Sequence, residues 1–88
     1  MRKVLKSDRA INVRAAEIFG LLHTTAAKKA FVQSEREWLS YRRASCSAQA
    51  SAYAGGSIEP VVFIECEASR NRRHLGDLAE LKGTVRPH

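Results

Sequence analysis

The chain has 88 residues, 44% hydrophobic and 27% charged, with 15 Lys+Arg against 9 Asp+Glu and a net charge of +6. That length bounds a single domain, residues 1–88, whose core supplies only about 3–5 kcal/mol, so a covalent staple would matter. No stretch is apolar and long enough to span a bilayer, no run of five or more like charges marks a polyanion-binding tail, and abundant Ala with two Pro favours helices.

The N-terminal "MRKVLKSDR" begins like the charged part of a signal peptide, but no apolar core follows it, so the chain as it stands carries no export signal. A first helix is predicted over residues 7–23. Ser7 or Asp8 can accept a backbone N–H at its start. Ile11, Ala15, Ile18 and Leu22 recur at helical spacing and share one face, widened by Phe19 and Leu21. Gly20 weakens its last turns.

Thr24 or Thr25 caps a second helix predicted over residues 26–54. Phe31, Trp38, Tyr41, Ser45 and Ala52 form one stripe on it; Val32, Leu39, Cys46, Ala50 and Tyr53 form another. Two stripes predict a wide buried face touching two neighbours. The "ASCSAQASAYA" run permits close approach of a second backbone.

Gly55-Gly56 breaks this helix by supplying a left-handed residue. Ser57 then caps a third helix over residues 58–81, with Glu59 and Pro60 in its first turn, where a carboxylate is favoured and a missing N–H is harmless. Ile58, Val62, Cys66 and Ser69 continue one face; Leu75, Leu78 and Leu81 carry the far end. Gly83 is the expected stop, with Pro87 beyond. The expected fold is all-α: an antiparallel hairpin of two long helices with a shorter N-terminal helix packed across it.

Cys46 precedes the end of the second helix by the same eight residues that separate Cys66 from the start of the third. Each is therefore about 12 Å from the tip. Antiparallel arms put them at equal height, which makes a Cys46–Cys66 disulfide geometrically natural. Closing a loop of about 20 residues contributes about 3 kcal/mol. A bridge implies an oxidising compartment, periplasmic or extracellular; the alternative is two buried thiols in a cytosolic protein. A metal site has little support, because two Cys are half a tetrahedral set and His23, His74 and His88 are scattered. No cofactor motif is present.

From Trp38 onward the sequence resembles the lysozyme-inhibitor LprI-type N-terminal domain family. The order Trp38, Tyr41-Arg42, Cys46, Gly55-Gly56-Ser57-Ile58-Glu59-Pro60, Cys66 follows that family's Trp, Tyr-Arg, Cys, Gly-Gly-Ser-hydrophobic-x-Pro and Cys pattern over about residues 31–78. Arg43 stands where the family has Asp. In residues 67–78 only Ala68, Asp77 (for Glu) and Leu78 keep its pattern, and a second upstream Cys pair carried by many members is missing. The resemblance implies a divergent or N-terminally shortened member. It further implies a helical, disulfide-bonded, exported bacterial protein, periplasmic or secreted, in a family to whose name lysozyme inhibition is attached and for few of whose members it is established.

Two functions follow. In the first, the protein is a non-catalytic binding protein, a possible lysozyme inhibitor, whose loop Gly55, Gly56, Ser57, Ile58 and Glu59 enters a cleft. A net charge of +6 opposes this for a basic lysozyme, and capping is the simpler role for Ser57. In the second, Arg42, Arg43, Arg70, Arg72, Arg73 and His74 form a basic patch for an anionic envelope polymer, membrane surface or acidic protein. No motif reaches bases, so specific nucleic-acid binding is not expected. Catalysis is not expected either: both Cys fall on buried faces, and Glu35/Glu37 or Glu65/Glu67, two apart on a helix, do not converge. Trp38, Tyr41, Arg42 and Pro60 are the structural motif, with Arg42 expected to pack along Trp38 and pair with Glu65 or Asp77. Self-association through an uncovered apolar face is open.

Overall fold

The computed structural model describes residues 2–85, and these form three helices: α1 (Arg2–Leu21), α2 (Thr25–Ser51) and α3 (Glu59–Val85). Pro87 and His88 lie outside the described residues. Helix α2 runs antiparallel to α3, and α1 runs parallel to α3, since Ser7 and Asp8 meet Asn71 while Glu17 meets Lys82. The molecule measures 51 × 22 × 16 Å.

Helix α2 starts as expected: the Thr24 hydroxyl accepts from the Ala27 N–H at 3.0 Å. Gly55, at φ +85°, is the left-handed residue that the Gly-Gly pair was expected to supply. Other boundaries differ from expectation: α2 ends at Ser51, three residues short of the expected 54. Helix α1 begins five residues before Ser7. Ser7 does not cap it; its hydroxyl donates back to the Val4 carbonyl within the helix, and Asp8 is held by partners on α2 and α3. Ser57 does not cap α3. The Glu59 N–H reaches the Gly56 carbonyl, and Ile58 accepts the first helical bond, from Val62. Gly83 does not end α3, which continues to Val85.

The apolar core is Ile11, Ile18 and Leu78, with Phe31, Trp38, Leu75 and Val85 packed against it. It fills the half of the molecule remote from the hairpin tip. Nearer the tip, the α2–α3 interface narrows to Cys46, Ala50 and Cys66, all buried. These small side chains let the backbones approach, and the Cys46–Cys66 disulfide joins them at a Cα separation of 5.5 Å.

The wide buried face expected of α2 is not found. Helix α3 packs against both α1 and α2, while α1 and α2 touch little. Val32, Leu39, Tyr41 and Tyr53 are consequently exposed. A cleft of about 280 Å³ separates α1 from α2, lined by Asp8, Ile11, Asn12, Ala15, Glu35, Trp38, Leu39 and Arg42.

Replacing both cysteines, Cys46→Ser with Cys66→Ser, should cost about 3 kcal/mol and lower the thermal midpoint by roughly 10 °C or more. Calorimetry on the oxidised and double-mutant proteins checks this. At the other end of α3, Lys82 donates to the Glu17 carboxylate. That hydrogen bond, helped by the charges of Lys82 and Arg14, holds the Glu17 pKa below its ordinary value of 4.5. A depressed carboxylate stabilises the fold above its unfolded pKa, and the contribution is lost as pH falls through the folded value. Lys82→Gln should therefore raise the Glu17 pKa and abolish this part of the acid sensitivity, read by NMR titration of the Glu17 side chain.

Candidate functional site

Two constellations stand out, one inside the bundle and one at its end. The inner one is a polar belt between the apolar core and the disulfide. Arg42, on α2, reaches across both neighbours. Its Nη1 donates to Asp8 Oδ1 on α1 at 2.7 Å and to Asn71 Oδ1 on α3 at 2.9 Å. Its Nε stands 3.6 Å from Glu67 Oε2 on α3. Asn71 is completely buried; its amide donates to Ser7 Oγ at 2.8 Å and Asp8 Oδ1 at 3.0 Å.

One turn further from the tip, His74 stacks on Trp38 with ring centroids 3.8 Å apart and planes 11° from parallel. Its Nε2 lies 2.7 Å from Glu35 Oε2. The Arg42 guanidinium lies 5.4 Å from the Trp38 ring centroid. Arg42 thus packs on Trp38 as expected, but its acids are Asp8 and Glu67. Glu65 and Asp77, the expected partners, are both exposed, because α3 is rotated to turn Glu67 and Asn71 inward.

Each charged or amide group of the belt meets a neighbour on another helix, and the buried Arg42 Nε makes no hydrogen bond among the described residues. Among the described residues, no three His, Cys, Asp or Glu gather as a metal set. The belt tells the three helices how to align.

The structure places the members of the basic patch expected from sequence in different surroundings. Arg42 and His74 point inward. Arg70 is half-buried, donating to Ser45 Oγ at 3.0 Å with its guanidinium 5.8 Å from the Tyr41 ring centroid. Arg43, Arg72 and Arg73 are the members left exposed.

The outer constellation is the hairpin tip. Asp8 lies level with Asn71, so the first turn of α1 falls about level with Cys66 and roughly two turns of each hairpin arm project beyond it. Gly55, Gly56, Ser57 and Ile58 are exposed and Glu59 half-exposed. Ser57 makes no hydrogen bond among the described residues, so its hydroxyl is available to a partner. Tyr53, Ile58 and Val61 expose 47%, 51% and 55% of their surface, far more apolar area than a two-turn segment needs to show. On the α1 side, Ser47, Ala50, Glu59, Pro60, Phe63, Ile64 and Glu67 line a groove of about 520 Å³. Pro60 sits in the first turn of α3 as expected.

The profile of a protein family described as lysozyme inhibitor LprI matches residues 2–78. The chain belongs to the lysozyme inhibitor LprI family. The match takes in α1 as well as the hairpin, and so extends well upstream of the segment whose motifs carry the resemblance. Neither curated proteins nor solved structures gave a match. No helix among the described residues is long and apolar enough to cross a membrane.

Sequence reasoning missed Asp8, Glu35, Glu67 and Asn71 as a connected set. One signal was available: Ile64, Ala68, Asn71, Leu75 and Leu78 follow a heptad-like stripe in which Asn71 is the lone polar position, the usual sign of a register-setting contact.

Removing the Arg42 guanidinium strands Asn71 and two carboxylates in a partly buried site. Arg42→Ala should destabilise by about 2 kcal/mol, and Arg42→Lys should recover only part of that, because an ammonium cannot serve three directions from one plane. Chemical denaturation of the two variants reads both outcomes.

Proposed function

We propose that the protein is a non-catalytic, exported binding protein that inhibits lysozyme, with the hairpin tip as the element that enters the substrate cleft. The observation that carries this reading is the tip itself: a stapled, projecting turn with an unbonded Ser57 hydroxyl and exposed Ile58, in a chain of the lysozyme inhibitor family. A glycosidase cleft is built around two carboxylates. A hydroxyl donor at the end of a narrow arm has the reach and chemistry to address such a cleft. The disulfide holds the arm rigid, so little conformational entropy is lost on binding. It also suits an oxidising compartment, periplasmic or secreted.

A second reading, binding of an anionic envelope polymer, membrane surface or acidic protein, has the exposed Arg43, Arg72 and Arg73 in its favour. Steep weakening with salt is its signature.

In a lysozyme activity assay the protein should inhibit saturably and stoichiometrically. Ser57→Ala combined with Ile58→Asp should weaken inhibition about tenfold or more, as expected for residues central to an interface, with the thermal midpoint unchanged. Absence of inhibition by the unaltered protein would overturn the reading.

A further inference from the structure

Charge along this molecule is segregated. Between Arg43 and Arg70 there is no Lys or Arg; residues 44–69 hold Glu59, Glu65 and Glu67 and no other charge. All 15 Lys and Arg, with the other six acids, lie outside that stretch. The fold converts this sequence interval into a place, because residues 44–69 are the disulfide-stapled end of the hairpin, at one end of a molecule 51 Å long. Glu67 is engaged by Arg42. Glu59 and Glu65 have no ion-pair partner among the described residues. The same arm carries the groove formed by Ala50, Pro60, Phe63 and Ile64, with Glu59 on its rim, and Glu65 on the opposite flank beside the exposed Tyr53, Ile58 and Val61.

We propose that this acidic, apolar arm is the docking surface for a cationic protein, and that its occupant is a basic lysozyme. The inference rests on the lysozyme-inhibitor reading and specifies which lysozymes the protein takes and by which end. The net charge of +6 would repel such a partner only if it acted as one point. At physiological ionic strength the screening length is about 8 Å. Glu59 precedes Arg70 by eleven residues, about 16 Å along the helix, or two screening lengths; Glu65 is nearer and lines one cavity with Arg70, so Glu59 carries most of the unscreened negative field. A basic partner approaching the tip therefore meets the local negative field, while the cationic body stays screened. Like charge at the body end disfavours every other orientation, so the same distribution that attracts at one end selects the pose. The apolar groove and the exposed Tyr53, Ile58 and Val61 supply the contact that charge alone lacks.

Binding of the oxidised protein to a basic animal lysozyme and to an acidic lysozyme is to be measured by a kinetic biosensor, with inhibition assayed in parallel. Glu59→Lys with Glu65→Lys should weaken binding to the basic enzyme about tenfold or more, chiefly through the association rate. Reversal of the body charges in Arg72→Glu with Arg73→Glu should leave binding unchanged or tighter. Glu65→Lys alone, at an exposed position, gives the same direction of change should the double variant fail to fold. Arm reversal without effect, or loss of binding on body reversal, overturns the docking surface while leaving the inhibitor reading intact. Binding without inhibition overturns the inhibitor reading and leaves the surface. Inhibition of the acidic lysozyme only overturns the choice of partner.

Discussion

Everything else in this molecule hangs on the Arg42 guanidinium. It touches all three helices, as its partners Asp8 and Asn71 do, meeting Asp8 on α1, Trp38 on its own helix and Asn71 and Glu67 on α3. Charged groups withdrawn from water are stabilised only in good geometry with their partners, so the guanidinium permits a single alignment of the bundle. Apolar packing among Ile11, Ile18 and Leu78 would tolerate sliding by a turn; the Arg42–Asp8–Asn71 set would not. The Trp38–His74 stack and the His74–Glu35 contact repeat the same device one turn along.

The disulfide acts where that belt ends. Beyond Cys46 and Cys66 no third helix packs on the hairpin among the described residues, and an arm of two short helical ends buries too little apolar surface to hold itself together. The covalent link lets the arm project without a core of its own. A turn that needs neither burial nor a hydrophobic neighbour can then present Ser57, Ile58, Tyr53 and Val61 outward. The apolar core lies at one end of the molecule and the exposed turn at the other, with the belt and the staple between them.

The charge distribution follows the same division. A formal +6 describes a sphere better than it describes a rod of 51 Å. On a rod, screening makes each end an independent object. The basic body and the acidic arm can therefore address different surroundings, and the objection that a cationic protein should avoid a cationic lysozyme loses its force at the arm.

Local chemistry in the sequence determined a great deal. Ala-rich composition and helical periodicity set three helices; Thr24 and Gly55 set two of the boundaries; the matched distances of Cys46 and Cys66 from the helix ends expected on either side of the turn pointed to the bridge. Those features depend on residues near one another in the chain, where backbone geometry alone relates position to distance. The motif from Trp38 to Cys66 was enough to point to the family. Only the tertiary structure decided which face of each helix is inside. Whether α1 lies against α2 or α3 rests on contacts between residues more than sixty apart, and its choice of α3 left Val32 and Leu39 exposed and brought Asp8 to Arg42 and Asn71. It also released Ser57 from the capping role that local pattern assigns to it. The acidic interval from residue 44 to 69 was written in the sequence throughout, but it became a surface only when the hairpin folded and carried it to one end, because charge acts through distance in space and not along the chain.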